Sequence, residues 1–274
     1  MYSDKIAVIQ FPGSNCEYET QRAIAHYGLA CDIVRWNTAA DTLRQYGGFV
    51  LPGGFSYQDR IRSGAIAARL PILEVLFEAN EAGKPILGIC NGCQILCETG
   101  LVPQSQDHYS HSIEVALTHN EILGQRVGFK CEWTYVKVAR PEQSLFTRYF
   151  EANEAIPIPI NHGEGRFVLS ENAAQMLNHV ALFQYCDSQA QSTAASNPNG
   201  TTANIAGLAN RRGNVFAIMP HPERAAFIKQ IPDWLQSNWA QTKSTRLTAG
   251  ETNGPWEKLF VAMRDHVLEA KVPA

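Results

Sequence analysis

The segment Ile86–Leu96, ILGICNGCQIL, sets a cysteine between two glycines where an apolar run gives way to a helical pattern. Such a position has the setting of a nucleophile elbow, a sharp strand-to-helix turn that projects one side chain above a sheet. Gly88 and Gly92, two residues to either side of Cys90, let the backbone pack closely around that turn. The free N–H groups at the start of the following helix favour a thiolate. The amide of Asn91, next after the thiol, is the natural first donor to a developing oxyanion. The chemistry available to Cys90 is covalent, nucleophilic catalysis.

Two blander readings compete with that one. A cysteine at a strand end is commonly a small packed hydrophobe. Cys90 and Cys93 also form a CxxC, the spacing of redox pairs and of half a zinc site. A structural zinc site needs two more ligands, and Cys16, Cys31, Cys97, Cys131 and Cys186 supply no second CxxC. His108 and His111 stand near each other but have no cysteine companion. Cys93 and Cys97, three and seven residues after Cys90, fall on the inner face of the expected helix as core residues.

A nucleophilic thiol needs a base, and the base needs a group to hold it. Of eight histidines, His221 stands out: prolines flank it, and Glu223 follows two residues on. Prolines on both sides fix the backbone direction. In extended chain the side chains at i and i+2 share a face, so Glu223 could orient the ring. A solvated surface turn is the competing reading of Pro-His-Pro-Glu. The paired glycines of Leu51–Phe55 (LPGGF) end another apolar run, and there the amide of Gly54 can turn toward a ligand as a second oxyanion donor.

These residues need a scaffold. Lys5–Phe11, Cys31–Trp36, Gly48–Leu51 and Lys84–Cys90 read as buried strands. Helices are expected from a Ser14-Asn15 cap to about Tyr27, over Ala65–Ala82, and from about Gly92 to Thr99. The alternation predicts an α/β fold, an open and mostly parallel sheet flanked by helices, with functional loops at the carboxyl ends of the strands. In the second half, Ile113–Leu117, Phe129–Val138, Phe167–Leu169, Val180–Tyr185, Ala203–Asn210 and Val215–Met219 read as additional antiparallel strands. Asn204–Met219 reads as a hairpin and Ser188–Thr202 as a loop. One domain over 1–274 is expected, with 234–254 a surface insertion and 255–274 a C-terminal helix.

Composition narrows the function classes. The net charge is −3 without a basic stripe, which argues against nucleic-acid binding. No apolar run reaches the roughly 18 residues of a membrane span. The opening residues run straight into a strand, so no leader is expected. Seven cysteines, an odd number scattered through apolar stretches, fit reduced thiols and a cytoplasmic protein.

Taken together, GICNGCQ around Cys90, LPGGFSY at Leu51–Tyr57 and MPHPERA at Met219–Ala225 resemble the class I, triad-type glutamine amidotransferases. More narrowly, FPGSNC at Phe11–Cys16, NHGEGRF at Asn161–Phe167 and NPNGTTANIAG at Asn197–Gly207 are similar to the glutaminase subunits of phosphoribosylformylglycinamidine synthases. The resemblance implies a flavodoxin-like fold, with Cys90 as nucleophile, His221 as general base and acid, Glu223 as its orienter, and the Gly54 and Asn91 amides as the oxyanion hole. It implies L-glutamine as substrate and no cofactor in this chain. It also implies a synthetase subunit that uses ATP and Mg2+ to convert formylglycinamide ribonucleotide to the amidine in purine biosynthesis, and a small bridging subunit.

Two positions depart from that family: Gln58 stands where a glycine is common, and Cys93 where a bulky apolar residue is common. The segment His162–Arg166 is expected to serve either the glutamine pocket or the partner, with a solvated Gly-flanked loop as the competing reading. The alternatives are a cysteine hydrolase of the DJ-1/PfpI type, which would lack the late His-x-Glu, and a regulatory subunit with a dead site.

Overall fold

A computed structural model describes residues 3–105 and 112–270. His108 and His111 lie outside the described residues. In the first half, strands and helices alternate: β1 (Ile6–Gln10), α1 (Glu17–His26), β2 (Cys31–Arg35), α2 (Ala40–Arg44), β3 (Gly48–Leu51), α3 (Ile72–Glu81), β4 (Ile86–Ile89) and α4 (Asn91–Thr99). The second half holds β5 (Val115–Thr118), β6 (Glu121–Ile122), β7 (Gln125–Arg126), β8 (Lys130–Val138), β9 (Ile156–His162) and β10 (Arg166–Leu169). Then follow α5 (Glu171–Gln175), α6 (Leu177–Val180), β11 (Ala181–Cys186), β12 (Ile205–Ala209), β13 (Val215–Ile218), α7 (Asn238–Thr248) and α8 (Glu257–Glu269).

A nine-stranded sheet runs in the order β2-β1-β3-β4-β13-β12-β11-β8-β9. Its first five strands are parallel neighbours, and β12, β11, β8 and β9 extend it antiparallel. Strands β3, β4 and β13 are buried along their whole length, which is why they read as unbroken apolar runs rather than alternating ones. The register aligns Leu51 of β3 with Gly88 of β4, and Ile89 of β4 with Ile218 of β13. The carboxyl ends of three adjacent parallel strands in the sheet's interior therefore open side by side into Gly53-Gly54, Cys90 and His221.

Three local readings change. The helix over Ala65–Ala82 is split into a 3-10 turn at Ala67–Arg69 and α3. Pro71 forces Leu70 into extended backbone (φ −85°, ψ 153°), which ends the first piece. Helix α1 begins one turn-position later than a Ser14-Asn15 cap would place it: Cys16 is the cap, and the Ser14 hydroxyl accepts the Phe11 N–H at 3.0 Å. Strand β9 went unread because Pro157 and Pro159 interrupt it. It lies at the sheet's edge, where missing N–H groups cost no ladder bond. The free carbonyls of the same two residues accept the Trp256 indole (3.0 Å) and the His221 amide (2.9 Å). The far edge of the antiparallel extension thus curls back over the ends of the parallel strands. Within 234–254, helix α7 buries no residue fully but sets Trp239, Ala240 and Leu247 against the core.

Candidate active site

Cys90 caps α4 at φ 51°, ψ −105°, a backbone conformation that L-residues rarely adopt. Its amide donates to Ile218 O at 2.8 Å and its carbonyl accepts from Gln94 N at 3.0 Å, so the elbow is pinned on both sides. Strain of this kind, on the order of 1–3 kcal/mol, persists only where the surroundings over-determine it. The glycines are part of that surround. A Cβ on Gly92 would stand 1.9 Å from Leu51 O, and one on Gly88 2.5 Å from Gly92 O. The Sγ of Cys90 points toward Asn161 O at 3.7 Å.

His221 is almost wholly buried, and its Nδ1 meets Glu223 Oε1 at 2.6 Å. The pairing is not the extended i, i+2 arrangement. Pro222–Arg224 forms a single 3-10 turn opened by the fixed φ of Pro222, and the turn brings the carboxylate under the ring. Burial pulls the imidazole's affinity for a proton down. The carboxylate of Glu223 and the thiolate of Cys90 outweigh it, so the net displacement is well above the ordinary histidine value. A base tuned this way can take the proton of a thiol beside it and hold it as an imidazolium.

The loop after β3 completes the arrangement. Gly54 sits at φ 150°, and a Cβ there would be 2.7 Å from Ser14 Cα. Among the described residues, the amides of Gly54 and Asn91 donate to no protein group. The Asn91 side chain ties this loop to the elbow: it accepts from Ser56 N (3.1 Å) and donates to Asp59 (3.3 Å) and Gln94 (2.9 Å).

Two cavities meet at Cys90. The front one, ≈ 390 Å3, is lined by Gly54, Cys90, Gln94, His119, Arg126 and Glu164 among others. Glu164 accepts the Ser63 hydroxyl at 2.7 Å and lies 3.3 Å from His119 Nδ1. Asp59, on the same wall, is pushed up to about 6, first by burial and then by the charge of Glu164. His162 is held neutral, its value drawn down to about 3 by burial and then by His221; among the described residues neither of its ring nitrogens has a hydrogen-bond partner. Of the segment His162–Arg166, the first three residues line this cavity. Arg166 instead holds Gly200 O and Glu121, each at 3.2 Å.

The rear cavity, ≈ 290 Å3, is lined by Cys16, Glu19, Cys90, His221 and Arg224. Sequence reasoning passed over Cys16, Glu19, Asp59, Gln94 and Arg224. The FPGSNC motif carried a signal for the first, because an isolated antiparallel bridge between Ser14 and Gly54 seats that segment on the loop. The CxxC reading lapses: Cys93 is wholly buried, and burial, with Cys97 beside it, holds it a thiol well above the usual range.

The family model for a CobB/CobQ-like glutamine amidotransferase domain matches residues 3–267. With nearly the whole chain covered, this protein belongs to the glutamine amidotransferases. It is 39% identical over 277 residues to phosphoribosylformylglycinamidine synthase subunit PurQ of Methanothrix thermoacetophila, covering 97% of this chain and 99% of that one. To the same subunit of Pyrococcus furiosus it is 42% identical over 222 residues, covering 81% and 89%. The structure of PurLQS from Thermotoga maritima contains a chain matched with a TM-score of 0.66 at 33% identity, over 90% of this chain and 98% of that one. Within the class, its family is that of the PurQ subunits. The DJ-1/PfpI alternative falls away with that membership.

Proposed function

We propose that this chain is the glutaminase subunit of a phosphoribosylformylglycinamidine synthase, with Cys90, His221 and Glu223 as its catalytic triad. The observation that carries the residue assignment is the convergence of three strand ends. A strained cysteine elbow, a carboxylate-held buried imidazole and a glycine loop with a free amide meet at one point of the sheet.

In the reaction, the Cys90 thiolate attacks the side-chain amide carbon of glutamine. Charge develops on the amide oxygen and is taken by the N–H groups of Gly54 and Asn91. Each such donor is worth about 3 kcal/mol of barrier in a dry, preorganised site. The C–N bond breaks as His221 protonates the leaving nitrogen, so ammonia departs and a glutamyl thioester remains. His221 then deprotonates a water that cleaves the thioester to glutamate and free thiol. Glu223 holds the ring in one orientation and stabilises its charged form in both steps.

The front cavity matches a zwitterionic amino acid. Arg126 offers a cation to its carboxylate, and Glu164 and Asp59 offer acceptors to its ammonium. The ammonia passes to a synthetase subunit that holds ATP and Mg2+ and makes the amidine of formylglycinamide ribonucleotide; a small bridging subunit joins the two. The chain acts as one domain over 1–274. Seven free thiols suit the reducing cytoplasm. Replacing Cys90 with serine in the assembled enzyme is expected to abolish glutamine-dependent synthesis while leaving synthesis from added ammonia intact. Glutamine-dependent turnover surviving in that variant would end the assignment.

A further inference from the structure

Behind the triad, a second constellation faces His221. The ligand atoms of Cys16, Glu19, His221 and Glu223 all lie within 4.8 Å of one another, and Cys90 is not in that set. Three of the four residues are buried. Among the described residues the buried Nε2 of His221 has no partner in full hydrogen-bond geometry, while Cys16 and Cys90 both act on the ring, which lines the rear cavity beside Cys16 and Glu19. Gly53 keeps the two close, since a Cβ there would be 2.9 Å from His221 Cε1 and 3.0 Å from Cys16 Sγ.

We propose that the rear cavity is a binding site for a zinc-class divalent cation, held by Cys16 Sγ, His221 Nε2 and a Glu19 carboxylate oxygen, and that its occupation switches the glutaminase off. This rests on the reading of His221 as the base. The donor set is the mixed sulfur, nitrogen and oxygen group that zinc prefers, with three protein ligands and a fourth position left to water. Glu223 already occupies Nδ1, so it acts as the carboxylate behind a metal-bound imidazole, fixing the tautomer that leaves Nε2 to the metal. Arg224 preorganises the other two ligands, donating to Glu19 Oε1 at 2.9 Å and to Cys16 Sγ at 3.3 Å, and leaves the second Glu19 oxygen free.

Charge also balances. Two protons move: that of Cys16 goes to solvent and that on His221 Nε2 returns to the Cys90 thiolate, and the Cys16 thiolate and the Glu19 carboxylate then offset the cation. With its Nε2 lone pair on the metal, His221 cannot take the proton of Cys90 or give one to ammonia.

The test uses Co2+ as a spectroscopic probe on the full chain and Zn2+ on the assembled enzyme. The chain titrated with Co2+ is expected to show thiolate-to-cobalt charge-transfer absorption. That band should persist in Cys90→Ser and vanish in Cys16→Ser, and Glu19→Gln should bind about 10–100-fold more weakly. In the assembled enzyme, Zn2+ should inhibit glutaminase turnover reversibly with a chelator. Cys16→Ser and Glu19→Gln should turn over normally yet resist the metal by a similar factor. No band in the parent chain, a band retained in Cys16→Ser, or one lost in Cys90→Ser would overturn the proposal. The cobalt readout needs no turnover, so a wrong assignment of the triad would be visible separately, as activity retained in Cys90→Ser.

Discussion

Glu223→Gln isolates what the carboxylate does to His221, because it changes charge with almost no change of shape. The bond it alters is short, 2.6 Å, and lies between two side chains that water scarcely reaches. A hydrogen bond to a charged group is worth about 1.5–3 kcal/mol. Losing it from the transition state alone slows turnover by roughly 10–150-fold. A glutamine can also present its NH2 to Nδ1 and trap the wrong tautomer, which raises the loss toward about 10^4-fold. The expected fall in kcat is therefore between roughly 10 and 10^4. KM for glutamine should hold, since neither His221 nor Glu223 lines the front cavity. Burial lowers the imidazole's proton affinity and Glu223 is the leading group that raises it, so the variant's histidine limb should move to lower pH. Stopped-flow release of glutamate by the assembled enzyme, across pH, measures all three. A kcat within about threefold of the parent, with an unshifted profile, would refute the role assigned to Glu223.

Other perturbations separate parts of the account. Gly92→Ala drives a methyl into Leu51 O and should lower unfolding free energy by about 1–3 kcal/mol in denaturant titration, with activity falling as the elbow shifts. Cys93→Ala should keep glutaminase activity and cost only about 1 kcal/mol of stability, because Cys93 is packed wholly inside the core; lost turnover in a folded variant would revive the CxxC. Gln58 holds φ 60°, so Gln58→Gly should raise unfolding free energy by up to about 1 kcal/mol. Asp59, raised to about 6, binds its proton more tightly folded than unfolded. Its contribution to stability is full below the ordinary value of 3.8 and falls as pH climbs through about 6; Asp59→Asn should remove that fall between pH 4 and 7 in chemical denaturation.

The parallel half of the fold was legible because β1, β3 and β4 are short apolar runs stopped by Pro-Gly or Gly turns, and their hydrophobicity is local information. Strand β9 was not, since its prolines deny it a strand's signature, and its place depends on a distant edge that only the folded sheet provides. The site divided the same way. Cys90, Gly54 and Asn91 announce themselves through glycines at strand ends, whereas Cys16 and Glu19 reach His221 only because the Ser14–Gly54 bridge and α1 carry them there. His221 and Glu223 were paired correctly, but through a 3-10 turn rather than extended chain. Spacing identifies partners better than it identifies the backbone that joins them.

The covalent step at Cys90 is the claim on which the rest depends. The assembled enzyme, quenched in acid while turning over isotopically labelled glutamine and then mapped by peptide mass spectrometry, should carry a labelled glutamyl group on the Cys90 peptide. The adduct should be labile to hydroxylamine, as a thioester is, and absent from Cys90→Ser. Turnover without any adduct on Cys90, or label found on Cys16 instead, would contradict the account.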